Sequence, residues 1–360
     1  MRPTLVSFGF FVVLIPPLAL VLGSQLGAPW LAFVLFVAAS PITRAVFGTH
    51  PVERLELSER TAATLHALPG LYLAVLFGSI LFAASQVSSL PILGGGALTG
   101  FGLSLWTVLV FGAFPAHEML HRRNRAWIRA GSFTAGLCGY PVLGLEDAVH
   151  HDRPGSVSSA EWPGRTESVW AFTARRIVSA VRNGMQRNAS LKATQEWGQA
   201  TPLCCGVAGL LCASGAFWAL GGWAALLVYV SAAVGVCFSM QVMTYVQHWG
   251  LGDDSIDDAT GRELAWEDDC QMQAWLTLGN SFHQAHHRAR DNAYFFLCPA
   301  PDSPRQPGCY VMMLGACLVP GVWRALMLPV LKQWKDDGNL VCQPGRWALC
   351  INPSRRTPAR

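Results

Sequence analysis

Six stretches of this chain are apolar and nearly free of charge, at roughly 5–23, 28–47, 68–86, 96–115, 203–220 and 223–247. Each is close to the ~20 residues that cross a bilayer as a helix. In lipid every backbone N–H and C=O must be bonded within the segment, so runs of this length read as membrane helices. Composition agrees: 52% of the 360 residues are hydrophobic and only 13% charged, about half the charge of an ordinary soluble domain. Disorder is excluded by the 14 Trp and 18 Phe available for burial. The first stretch is too long for a signal-peptide core and a second follows at once, so it reads as a span, with Pro16-Pro17 as a kink.

Loop charges orient the spans. The connections 24–27, 87–95 and 221–222 hold no Lys or Arg, whereas Arg2, Arg54, Arg60, the 121–200 segment and everything after 248 fall on the other side. By the positive-inside rule both termini and the two long polar segments face the cytoplasm. The expected architecture is therefore an all-α integral membrane protein, a single domain over 1–360. Its six transmembrane helices carry a cytoplasmic helical cap formed by 116–202 and 248–360. The 309–331 stretch is apolar but broken by Pro320 and carries Arg324, so it reads as an interfacial or covering helix rather than a seventh span. The net charge of +4 comes from residues flanking apolar runs, with no basic helix for nucleic acid. Eleven cysteines without a Cys-x-x-Cys pair exclude a zinc ribbon or fused rubredoxin and read as buried thiols.

The histidines carry the functional signal. His50 and His66 stand apart and read as solvated or interfacial. The other eight fall in four groups, all on the cytoplasmic side: His117 and His121, His150-His151, His248, and His283, His286 and His287. Spacings of three and four place two side chains on one helical face, as shared ligands of one metal require. Adjacent histidines diverge by about 100° and can serve two different metals. The string His117-Glu118-Met119-Leu120-His121 also satisfies the H-E-x-x-H signature of zinc proteases. One zinc, however, needs only three protein ligands and leaves five histidines without a role. Two metals at about four ligands each use all eight, with Glu146, one turn before His150, as a ninth. Imidazole with added carboxylate suits iron, copper or zinc, and a redox-capable di-iron centre is the economical reading. A metal store or carrier would bind metal without consuming O2 or reductant.

These motifs resemble the membrane di-iron hydroxylases of the alkane and xylene monooxygenase branch of the fatty acid desaturase superfamily. His117-Glu118-Met119-Leu120-His121-Arg122 matches that branch's first box, and Thr244-Tyr245-Val246-Gln247-His248-Trp249-Gly250-Leu251 is similar to its N-Y-x-[EQ]-H-Y-G-L element. Ser281-Phe282-His283-Gln284-Ala285-His286-His287 is similar to its last box, and the 164–172 string looks like the segment after its middle box. The likeness covers about 100 to 350. It departs at the middle box, H-x-x-x-H-H, where Glu146 stands for the first histidine. Either Glu146 ligates in its place, or the ligand is lost, or Asp147 or Asp152 takes over.

The resemblance implies two irons that activate O2 and insert oxygen into an unactivated C–H bond of an apolar substrate, an alkane, alkyl-aromatic methyl or fatty-acyl chain entering from the bilayer. Desaturation, alkene formation or epoxidation of a lipid or natural product is the alternative outcome at the same ligands. Electrons would come from a separate rubredoxin or ferredoxin-type donor and its reductase, and Arg122, Arg123, Arg125 and Arg129 would either dock that donor or anchor the span to headgroups. The implied location is a bacterial inner membrane. Trp30, Phe33, Phe36, Trp106, Phe111, Phe217 and Trp218 are available to line a pocket or to form lipid-facing belts.

Overall fold

The computed structural model describes residues 3–51, 53–87, 95–152, 162–193, 197–252, 264–301 and 303–337. Among these, regular structure is helical apart from two isolated bridges, Thr49 with Cys270 and Glu267 with Arg305. Arg2, the connection 88–94, the polar stretches 153–161, 194–196, 253–263 and 338–360, and with them Cys342 and Cys350, lie outside the described residues.

Four helices among the described residues are long and apolar enough to cross a membrane: Val6–Gln25, Glu59–Gln86, Gly96–Leu120 and Pro202–His248. The first comprises α1 (Pro3–Gly9), a 3₁₀ turn over Phe10–Leu14 and α2 (Ile15–Gln25). Pro16 and Pro17 stand in the first turn of α2, where a missing N–H costs nothing, so the kink is a helix restart. The stretch 28–47 is not one continuous helix. It is α3 (Leu31–Phe33), a π turn over Val34–Ala38 and α4 (Ser40–Phe47), the last beginning where the Pro41 ring removes a donor. Helix α5 (Glu59–Gln86) starts well before 68 because the Ser58 side chain accepts from the Thr61 N–H as its N-cap. Helix α6 (Gly95–Leu120) runs beyond 115 and so carries His117.

The long helix α10 (Trp197–His248) folds back on itself. Gly222 has φ 70° and ψ −165°, open to glycine and costly for other residues. The rings of Phe217 and Tyr229 stack at 5.1 Å, whereas twelve residues of straight helix would hold them about 18 Å apart. The boundary read at 221–222 is therefore a hairpin turn between two antiparallel helices.

The remaining helices are α7 (Arg125–Leu137), α8 (Leu143–Asp152), α9 (Val169–Ala193), α11 (Gln271–Leu276), α12 (His283–Arg288), α13 (Tyr310–Cys317) and α14 (Pro320–Asp337). Helix α7 lies so close to α10 that a Cβ on Gly136 would stand 1.9 Å from the Gly206 carbonyl oxygen. The 309–331 stretch is two helices, broken where Pro320 stands, and Trp323 of α14 packs on Tyr245 and Trp249 at 5.7 Å each. Helix α9 buries Val169, Phe172, Arg176 and Ala180 and turns Trp170, Val178, Val181 and Met185 outward. The segment 264–301 is bound to the N-terminal membrane elements by polar contacts. Arg44 of α4 pairs with Asp268 and, at 2.7 Å, with Asp269, Gln273 donates to Ser40 at 2.8 Å, and the Trp275 indole donates to the Val6 carbonyl at 2.8 Å.

Candidate metal centre

Four elements converge where the membrane helices end. The last turn of α6 carries His117, and His121 follows directly after the helix; α8 carries His150 and His151; α10 ends at His248; α12 carries His283, His286 and His287. The eight histidines sort into two groups, His117, His121, His151 and His286 in one, His150, His248, His283 and His287 in the other. Within each group the candidate ligand atoms all lie within 4.8 Å of one another. Both adjacent pairs divide between the groups, as the helical rotation between neighbours requires. The two groups abut, with His151 and His287 rings 4.5 Å apart.

The nitrogens point inward. His117 and His121 Nε2 are 3.1 Å apart, His283 and His287 Nε2 2.9 Å, and His150 and His287 Nε2 3.2 Å. His248 donates its Nδ1–H to the Leu264 carbonyl at 3.1 Å, which leaves an Nε2 lone pair facing its group, and Trp162 stacks on its ring at 4.3 Å. His248 Nε2 and His286 Nε2 are buried without a hydrogen-bond partner. Buried polar atoms in that state are costly, and a metal ion relieves the cost. Burial holds His150, His283 and His286 well below the ordinary imidazole pKa, and burial with its neighbours' charges pushes His121 down to about 3. Neutral imidazole is the ligating form, so the residues fit two ions.

Two carboxylates accompany the groups and behave differently. Asp147 reaches the first: its oxygens lie 2.9 Å from His117 Nε2, 3.3 Å from His121 Nε2 and 3.6 Å from His151 Nε2. Burial opposes its charge, but His121, His117 and His151 together hold the carboxyl well below its usual range. Neither carboxylate is a member of either four-histidine group, and Glu146 is engaged elsewhere. Its Oε1 accepts from Arg176 Nη2 at 2.8 Å and from Gln241 Nε2 at 3.4 Å, and its Oε2 accepts from the Tyr140 hydroxyl. His66 is exposed, as the sequence led one to expect; His50 is instead buried, where Thr49 bridges to Cys270, and neither joins the groups.

Sequence reasoning overlooked Arg176, Glu267, Trp162 and Asn280. A signal existed for Arg176, a lone cation on the apolar face that Phe172 and Ala180 define at spacings of four. Glu267 had none: fully buried, it accepts from the Ala285 N–H in the first turn of α12 at 3.0 Å, from the Ala300 N–H at 3.1 Å and from Arg305. Asn280 approaches His283 Nδ1 at 3.3 Å.

A cavity of 70 Å³ beside the histidines is lined by His117, Glu146, Asp147, His150 and His283. It shares Phe114, Met243 and Asn280 with an apolar cavity of 250 Å³ that Trp106, Phe111, Phe238, Val242 and Leu314 also line. That one shares Trp106, Phe238 and Ser239 with a third, of 660 Å³, between α6 and the second arm of α10. The Trp106 indole donates to Ser239 at 3.1 Å across this last boundary. Of the aromatics singled out from the sequence, Trp106 and Phe111 line cavity, Phe217 is packed inside and Trp218 is exposed. On the opposite side a 520 Å³ pocket reaches His121 past Arg122, Arg123 and Arg290.

Long apolar helices that end in two four-histidine groups define a membrane protein with a candidate two-metal site. The fatty acid desaturase family profile matches residues 92–295, more than half of the chain, and the chain belongs to that family. It is 24% identical to alkane 1-monooxygenase 1 of Pseudomonas aeruginosa over 84% of each chain. It is 23% identical to alkane 1-monooxygenase 2 of the same species over 85% of each. Alkane 1-monooxygenase 2 of Alcanivorax borkumensis is 19% identical over 91% of this chain and 90% of its own.

Proposed function

We propose that this chain is an O2-dependent, membrane-bound di-iron monooxygenase that hydroxylates an unactivated C–H bond of an apolar molecule taken from the bilayer. The observation that carries the reading is the meeting of two four-histidine groups with the inner end of an apolar cavity series. The names of its relatives, all alkane monooxygenases, support the reaction class. His117, His121, His151 and His286 would hold one iron and His150, His248, His283 and His287 the other. Two irons bound there supply reductive activation of O2.

The protein's own contributions are positioning and exclusion of water. Phe111, Phe114, Val242 and Met243 give an alkyl chain an apolar bed that ends beside His117, His150 and His283. The 250 Å³ space exceeds the ~150 Å³ apolar cavity that takes up benzene. In the proposed topology the chain crosses a bacterial inner membrane six times with termini and metal centre cytoplasmic, the interrupted 28–47 segment and the two arms of α10 each counting as crossings. Electrons would arrive from a separate rubredoxin or ferredoxin-type protein, and the pocket beside His121, lined by Arg122, Arg123 and Arg290 together with Glu118 and Asp291, offers it an approach to the histidines.

The test is elemental analysis of the detergent-purified chain with product analysis under isotope-labelled O2, given donor protein, reductase and a series of n-alkanes and fatty acids. Two irons per wild-type chain, lost in His121→Ala and His283→Ala, with labelled alcohol as product, support the proposal. One zinc lost only with His121 would refute it in favour of a hydrolase at the H-E-x-x-H motif. Two irons with unsaturated product would move the chain to the desaturase outcome.

A further inference from the structure

The two carboxylates at the middle histidine box divide the work differently from what their order in the sequence suggests. We infer that Asp147, and not Glu146, is the carboxylate ligand of this centre, that it serves the ion of the His117 group alone, and that the Glu146–Arg176 pair is a neutral wall beside the other ion. The inference rests on the di-iron reading above and adds which residue completes the ligand set.

Geometry excludes Glu146 first. Both of its oxygens are engaged, by Arg176, Gln241 and Tyr140. Arg176 is only 1% exposed, and a buried guanidinium deprived of its carboxylate is strongly destabilised, so Glu146 is held in its pair. In charge the substitution at this position is self-cancelling, since the carboxylate arrives with its own cation from α9. Asp147 is the reverse case. It faces the Nε2 atoms of three histidines that belong to one group, and imidazoles ligate in their neutral form. A carboxylate among neutral imidazoles is stabilised by a cation, and it is already within reach of one held by those nitrogens. Helical geometry gives the same answer: Asp147 lies four residues before His151, on the face of α8 that serves the first group.

The consequence is asymmetry. One ion has four imidazoles and a carboxylate, the other four imidazoles, so the two irons differ in charge and ligand number. The experiment loads full-length protein in detergent anaerobically with isotope-enriched ferrous iron and records iron per chain and the Mössbauer spectrum, without turnover. Wild type is expected to bind two irons giving two distinct signals of equal area. Glu146→Gln keeps both irons and both signals. Asp147→Asn, of the same shape and so able to fold, loses one iron and one signal, whereas Asp147→His regains the second iron with an altered signal. Two irons with unchanged spectra in Asp147→Asn overturn the assignment, as does loss of one iron in Glu146→Gln. Should the Asp147 variants fail to yield monodisperse protein, the wild-type spectrum decides, a single signal overturning the asymmetry. A wild type that binds no iron overturns the di-iron reading itself, and that outcome is distinct from the preceding ones.

Discussion

Glu267→Ala is expected to be among the most damaging single substitutions in the protein, although Glu267 touches no histidine ring. Its side chain has no exposure and accepts from Arg305, itself 8% exposed, and from the N–H groups of Ala285 and Ala300. Ala285 lies in the first turn of α12, whose N-cap residue Phe282 offers no side-chain acceptor, so Glu267 satisfies an N–H that the helix cannot bond itself. Breaking a buried ion pair by removing one partner costs about 3–5 kcal/mol, and each orphaned buried N–H adds about 1–3 kcal/mol. The low ends together give about 5 kcal/mol. At roughly 2 °C per kcal/mol for a chain of this size, the apparent Tm should fall by about 10 °C. Because α12 supplies histidines to both groups, iron content should fall at both sites. The assay is thermal unfolding in detergent with iron per chain. The double variant Glu267→Gln with Arg305→Met should recover about 3 kcal/mol by removing both charges. A Tm within 2 °C or so of wild type for Glu267→Ala, or no recovery in the double variant, would refute the reasoning.

Other outcomes follow from the same geometry. In metal-free protein His121, His150, His283 and His286 have pKa values lowered below the unfolded value. The unfolded chain therefore binds more protons below about pH 6.5, and stability is full above that pH and lost as pH falls, by about 1.4 kcal/mol per pH unit for each such histidine. Melting curves of metal-free protein between about pH 7.5 and 5.5 check the sign, and a flat profile contradicts it. Trp106→Ala removes the indole that separates the 250 and 660 Å³ cavities. Turnover of an n-alkane series should shift toward longer chains, and an unshifted preference would mean that Trp106 does not bound the occupied space. Gly222→Val forces a β-branched residue to φ 70° and ψ −165°, a region open essentially to glycine alone, so expression and Tm should fall, and a wild-type Tm in this variant would contradict the hairpin turn.

The sequence determined much of this protein without help. Apolar length is a one-dimensional property, so the membrane helices were legible, and the Gly221-Gly222 hairpin with them. The eight histidines were legible because helical spacing fixes which neighbours share a face, and their division into two fours follows from rotation along α8 and α12. What the sequence did not disclose depends on partners distant in the chain. The interruption at Val34–Ala38 is a local conformational choice that apolar composition does not register. Glu146 and Asp147 are adjacent and chemically alike, and nothing along the chain says which one faces the histidines of the first group. Arg176, thirty residues on and brought beside Glu146 by the packing of α9 on α8, engages that carboxylate, while Asp147 faces His117, His121 and His151. Glu267, Asp268 and Asp269 are three consecutive acidic residues that drew no reading from the sequence; burial against Arg305 and Arg44 makes them polar struts of the 264–301 segment. Sequence fixed the donors a metal would need, because spacing along a helix is local. Tertiary structure decided which carboxylate is available to it, because charge compensation in a low-dielectric interior depends on what lies next to a group in space.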